Sequence, residues 1–466
     1  MMAQASLDLI FEAALVIANQ DAPDSGDLCL RCHNSRGWTQ GRSVPTSGEQ
    51  MVDGDKVGVF CNQCHRMVDP ILDVNNPVED IPVLAALDQI PTHFGRGQYV
   101  IDPDAAVRRG PFDDTVASHA VIVSPFHREA AFCGTCHDVS SPAFSRDPSG
   151  DFLPNAFDTP SPSFSPDSIM AVERTYSEWL HSAYNTPAGV YAPEFGGNKN
   201  YVATCQDCHM RDVTGQGCNN PAAPVRTDLP LHDMTGGSTW LPSVLHTIHP
   251  EVNVAALADG VTRARYMLQN AAELEFISAG DSLMTVRVTN NTGHKLPTGY
   301  PEGRRMWLNV KFFDASSNLL RESAAYNAST AELSHDAEAK IYEIEPATKG
   351  IPGLADGTLF HFVLNNTVVK DNRIPPRGFT NAAFAAFGGP PVAYAYADSQ
   401  YWDQTTYAIP NGATRAEVTL YYQSLSKEFA EFLRDENTTD TAGQDLYDLW
   451  NDNGKCPPEM METIDI

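Results

Sequence analysis

Eight of the ten cysteines stand in four copies of one five-residue pattern: Cys29-Leu-Arg-Cys32-His33, Cys61-Asn-Gln-Cys64-His65, Cys133-Gly-Thr-Cys136-His137 and Cys205-Gln-Asp-Cys208-His209. Two thiols at this spacing sit one helical turn apart. Both can add to the vinyl groups of a single porphyrin, and the residue that follows can turn its imidazole to the iron. Each copy thus supplies two thioether bonds and one proximal ligand, His33, His65, His137 or His209. Cys-X-X-Cys pairs also build zinc sites and dithiol redox centres, but neither needs a histidine after every second cysteine. The pattern predicts four covalently bound heme c groups.

A proximal histidine leaves one axial position open on each iron, and what fills it separates electron transfer from small-molecule chemistry. Of 14 histidines, ten remain after the four proximal ones. All four copies end in histidine, none in lysine, and no paired-carboxylate or nucleophile motif stands out. The residues therefore read as an electron-transfer protein and not as an enzyme. Cys218 and Cys456 are left over; in an oxidising compartment they either form a disulfide or stay as two buried thiols.

Acidic residues outnumber basic ones by 59 to 31, a formal charge of −28. Such a surface argues against nucleic acid or anionic lipid as a partner. Arg304, Arg305 and Lys295 form a basic cluster in this acidic chain, read as pairing with heme propionates. No apolar run approaches the roughly 18 residues that cross a bilayer, so no transmembrane segment is expected. The first 26 residues contain Asp8, Glu12, Asp21 and Asp24 but no Lys or Arg, unlike the start of a secretory signal. Because heme attachment to this motif takes place outside the cytoplasmic membrane, the expectation is a signal cleaved or omitted from this numbering.

The elements that must hold these residues are short in the first half. Residues 5–19 read as an amphipathic helix, and periodic apolar stretches recur only at 82–90 and 174–183; elsewhere Gly, Pro and polar residues dominate. A helical stripe through Ala255, Leu257, Val261, Ala264, Met267 and Leu268 predicts a helix from Asn253 to Glu273. From Asp281 the period becomes two. Strands are predicted in SLMTVRVTN, MWLNVKFFD, AKIYEIE, GTLFHFVLNN and RAEVTLYYQS, then a helix over 426–434 and a terminal arm. The stretch from Ile374 to Ala397 reads as an insertion covering a partner surface. The fold class expected is a loop-rich, mainly helical multiheme domain (1–250), a linking helix (251–273), an antiparallel β-sandwich-like domain (274–425) and a C-terminal helix and arm (426–466).

Beyond the four motifs, several segments carry a family resemblance: RRGPFDDTVASHAVIVSPFHREAAFCGTCH, the H-x-x-x-G-G at His232, TGHKLPTGYPEGRRMW, and EVTLYYQSLSKEFAEFLRDEN. With them the chain resembles the tetraheme members of the multiheme c-type cytochromes of metal-reducing bacteria, including subunits of extracellular cytochrome filaments (nanowires). The resemblance implies bis-His iron ligation, with His119, His127, His232 and His294 as distal candidates. His181, His93 and His246 form a reserve, and His249, His335 and His361 are structural. It also implies a protein at the cell surface or outside the cell that self-associates into a polymer and passes electrons to redox proteins or extracellular acceptors. Two alternatives stay open, a discrete periplasmic or surface carrier and a multiheme reductase with one open heme site.

Overall fold

The computed structural model describes residues 2–156, 159, 161–280 and 282–466. Asp281, where the period-two pattern sets in, lies outside them. The chain divides into two compact units, one of Met1–Leu180, Tyr184–Met234 and Ala386–Gly389, the other of His181–Ala183, Thr235–Ala385 and Pro390–Ile466. Among the described residues no helix is long and apolar enough to cross a membrane.

The first unit is built from short helices and two- or three-stranded sheets. Its N-terminal helix, Leu9–Asp21, starts at Asp8, whose carboxylate accepts from the Ile10 and Phe11 amides at 2.8 and 3.4 Å. Phe11 and Leu15 then pack on Leu30 inside the first Cys-X-X-Cys-His segment, so this helix is part of the core and not a free arm. A second cluster joins Met67, Tyr99, Phe126, Ala130, Ala131 and Tyr176, with Cys136 and Cys205 against it. An ion triad is buried beside them. The Arg109 guanidinium reaches Asp80 at 2.9 Å and Asp102 at 2.5 Å, with the Arg109 and Asp80 side chains fully buried.

In the second unit, a three-stranded antiparallel sheet (Ala272–Ala279, Leu283–Asn290, Trp402–Ala408) and a five-stranded one share a core. The second sheet holds Leu319–Ser323, Arg305–Phe313, Arg415–Gln423 and Glu459–Asp465, with Lys340–Tyr342 also on Arg305–Phe313. Alternation explains the packing: Met306, Leu308, Val310 and Phe312 meet Leu274, Met284, Val286 and Val288, while Trp307 points to the other face with Ala324, Leu333 and Ile341. The helix Val254–Ala271 begins at Asn253, whose side chain accepts from the Ala255 and Ala256 amides, and it buries Leu257, Ala264 and Leu268.

Four expectations are corrected here. GTLFHFVLNN is not a strand: Phe360 takes φ 72° and the Leu364 and Asn365 amides both donate to the His361 carbonyl at 2.8 and 2.9 Å, so the apolar alternation is spent on a turn. The segment after Asn437 is no free arm, because it forms the helix Ala442–Asp452 and then the edge strand Glu459–Asp465, paired with Arg415–Gln423. The stretch 374–397 packs into its own chain, with the helix Asn381–Ala386 and Phe379, Phe384 and Tyr396 buried. Lys295, Arg304 and Arg305 do not form one cluster. Lys295 is buried on Asp371 at 2.6 Å, Arg305 pairs with Glu428 at 3.2 Å, and Arg304 donates to the Thr298 carbonyl.

Glu302, within the second unit, is a buried acid whose carboxylate accepts from Asn365 Nδ2 at 3.0 Å. Desolvation dominates that hydrogen bond and raises its pKa to about 8. Between the ordinary Glu value and this one, the unfolded chain has released a proton that the native chain keeps, so stability falls as pH rises through that window. At pH 7 the loss is roughly 3 kcal/mol. The variant Glu302→Gln keeps the acceptor and offers a hydrogen to Asn365 Oδ1, which is buried without a partner. It is expected to melt higher than the native chain at pH 7, with the advantage shrinking to nothing near pH 4.5. An equal advantage at both pH values would contradict the buried neutral acid.

Candidate heme centres

Each motif sits on a turn of helix. The first closes the helix Gly26–His33, and the second and fourth are the single turns Cys61–Cys64 and Cys205–His209. The third begins in Ala130–Gly134. Thr204 caps the fourth, accepting from Asp207 N while the Asp207 carboxylate accepts from Thr204 N at 3.1 Å.

Placed this way, the motifs converge on the third. The Cys32 and Cys136 thiols lie close enough to shift one another's ionisation, Cys205 raises the Cys133 thiol in the same way, and Cys64 lies within electrostatic reach of both Cys133 and Cys136. Burial pushes the Cys29, Cys64 and Cys208 thiols up to about 12. A dithiol redox centre needs the opposite, a stabilised thiolate. Cys136 is the exception, held down chiefly by its neighbour Cys32 of another motif and not by its own Cys133. Among the described residues no group of three or more His, Cys, Asp and Glu is set to hold a bare metal ion.

Three of the four proximal imidazoles, those of His33, His65 and His137, are oriented through Nδ1. His65 Nδ1 lies 2.9 Å from the Arg109 carbonyl, and Arg109 N donates back to the His65 carbonyl at 2.7 Å. His33 Nδ1 is 3.3 Å from the Ala5 carbonyl, its ring stacked on Phe11 with centroids 4.0 Å apart. His137 Nδ1 faces Glu173 Oε1 at 3.5 Å; burial opposes protonation there, but Glu173 outweighs it and raises the pKa. A carbonyl or carboxylate on Nδ1 fixes the tautomer that leaves Nε2 as the ligating atom. These residues therefore fit one heme at each motif, which would take its two thioethers from the pair of cysteines and its proximal ligand from the histidine that follows them. Bound there, the iron supplies one-electron chemistry.

The distal candidates are distributed unevenly. His127 and His232 both stand by His65, with ring centroids 6.0 and 6.1 Å from it. His127 Nε2 is 2.9 Å from the Cys64 carbonyl, its Nδ1 is buried without a partner, and burial lowers its pKa to about 4. His232 follows the fourth motif in sequence, and Met234 N donates to the His209 carbonyl at 2.8 Å, yet its ring is turned to His65. His119 is exposed, with Nδ1 3.1 Å from the Ala120 carbonyl and no ring contact among the described residues. His294 belongs to the second unit, where Nδ1 lies 2.9 Å from the Lys295 carbonyl. Of the reserve, His93 Nδ1 meets Thr92 Oγ1 at 3.0 Å and His246 Nδ1 the Val252 carbonyl at 2.9 Å; His181 is in the second unit.

The sequence reading passed over Arg109 and Glu173, which hold the second and third histidines. The signal available for Arg109 was a basic residue kept in an acidic chain, just before the GPFDD segment. Cys218 and Cys456 are free cysteines, the first exposed and the second buried.

No family model matches the chain, and no curated protein matches it. Among solved structures it is similar to the crystal structure of a penta-heme cytochrome c552 from Thermochromatium tepidum. The TM-score is 0.50 at 16% identity, over 94% of this chain and 83% of that one. At this identity the likeness is one of fold: the chain folds like a multiheme c-type cytochrome.

Proposed function

We propose that the chain is a tetraheme c-type cytochrome that transfers electrons outside the cytoplasm along a chain of bis-His hemes. We further propose that it does so as a subunit of an extracellular conductive filament. The observation that carries the electron-transfer reading is the convergence of four heme-attachment motifs on the third, since electrons pass between hemes only where the hemes stand close. The fold likeness to a penta-heme cytochrome agrees with it; four motifs are present here. The layout proposed with it is a multiheme domain followed by a β-sandwich-like domain. The filament reading is supported by the sequence resemblance, and it requires a head-to-tail contact that does not close into a ring. That contact must also overcome the repulsion of a −28 surface.

Ligation is tested by variants. Replacing His232 or His127 with Ala is expected to turn one heme high-spin or raise its potential, while Ala at His335 or His361 leaves the spectrum as it was. Unchanged spectra for both His232→Ala and His127→Ala would remove the distal assignment from this pair. Electron microscopy of native material tests the polymer: thin uniform filaments with unbroken heme succession support it, and a monodisperse monomer at high concentration leaves the discrete carrier.

A further inference from the structure

Most cations of this chain are spent on carboxylates, which makes those that are not stand out. Two of them face one cavity of about 260 Å³ in the first unit, on the flank of the second motif. Arg36 makes no side-chain hydrogen bond or ion pair among the described residues. The carboxylate near it, Asp55, is already held by Arg42 at 2.7 and 2.5 Å. Arg66 spends its guanidinium on a neutral group, with Nε 2.8 Å from the Asp102 carbonyl oxygen, because the Asp102 carboxylate belongs to Arg109. Between them the cavity is lined by Thr39, Gln40 and the two middle residues of the motif, Asn62 and Gln63.

Gln63 supplies the second, independent observation. It is only 4% exposed, and its Nε2 is buried without a hydrogen-bond partner. The Tyr99 hydroxyl donates its proton to the Arg31 carbonyl at 2.6 Å and stands outside hydrogen-bonding geometry for the Gln63 amide. A buried donor left unpaired is costly, and an acceptor in the cavity would offset that cost. Two guanidinium groups that no carboxylate pairs with and an orphaned amide donor, together with the Gln40 and Asn62 side-chain amides, match an oxyanion: negative, compact and rich in acceptors.

We propose that this cavity is an oxyanion site, seated on Arg36, Arg66 and Gln63. The anion has two possible sources with the same chemistry, a free oxyanion of the sulfate or phosphate class and the carboxylate of a heme propionate. The second source rests on the heme reading; the first does not. The test uses the full heme-loaded chain and its Arg36→Gln and Gln63→Leu variants, with Arg415→Gln, an exposed pair on Asp465 in the second unit, as the control. Heme content measured on every sample separates a failure of the site from a failure of the heme reading. Sulfate is titrated calorimetrically in low-chloride buffer, and heme potentials are followed by spectroelectrochemistry. One-site sulfate binding that weakens at least tenfold in Arg36→Gln, and also in Gln63→Leu, but not in Arg415→Gln, supports a free oxyanion. No sulfate binding, with a single heme potential moved by Arg36→Gln and not by Arg415→Gln, supports the propionate. Neither sulfate binding nor a change of potential overturns the proposal.

Discussion

Replacing Arg109 with Met is expected to cost roughly 3–5 kcal/mol of stability in the first unit, because it strands two carboxylates in the interior. Asp80 is fully buried and Asp102 nearly so, and Arg109 is the cation that holds both. Burial already pushes the Asp80 pKa up in spite of Arg109. Without the guanidinium, one or both acids must take a proton or open a path to water. The same backbone unit carries the carbonyl that orients His65, so loosening it should also broaden the spectrum of the second heme. Arg109→Lys keeps the charge but not the fork that reaches two carboxylates, and should fall between. Denaturant unfolding of the heme-loaded chain reads the effect as a midpoint shift. A midpoint for Arg109→Met that matches the native protein would show that the triad is not the anchor described here.

The second large effect is expected at the third motif. Cys32 shifts the ionisation of Cys136, Cys205 that of Cys133, and Cys64 feels both thiols of the third motif. Removing this motif (Cys133→Ala with Cys136→Ala) should therefore do more than delete one heme. It takes away the apolar centre against which the other three are set, and the yield of heme-loaded protein should drop severalfold with the remaining hemes poorly retained. The matching pair at the second motif, Cys61→Ala with Cys64→Ala, touches a more exposed place, since Cys61 is exposed. It should give a stable protein with one heme fewer. Equal yields and equal heme retention from the two double variants would contradict the arrangement around the third motif.

What could be read from the sequence was what is local. The four motifs are complete within five residues each, and the helix Val254–Ala271 declares itself through its apolar stripe and the Asn253 cap. The strands Leu283–Asn290, Arg305–Phe313 and Arg415–Gln423 alternate clearly because one face meets the shared core. The edge strand Glu459–Asp465 was not legible, because its EMMETID carries charges through the run and its place is set by the partner strand, Tyr422 against Glu459. GTLFHFVLNN misled in the opposite way, with alternation but a left-handed residue in its middle. In the candidate site, the His65 neighbourhood escaped for a related reason. His127 and His232 reach it from segments far along the chain, and sequence order pointed His232 at the fourth motif instead. Arg109 escaped because nothing local shows which carboxylates will be buried beside a cation.

The central claim, that the four motifs bind four hemes covalently, is tested most directly by the mass of the intact chain under denaturing conditions, beside a pyridine hemochrome spectrum of the same sample. The expected mass is that of the chain plus four heme groups, surviving acid and organic solvent, with a spectrum typical of thioether-linked heme at four per chain. A chain that matures in a host able to attach heme c, yet carries none, or loses its heme to the solvent, would contradict it.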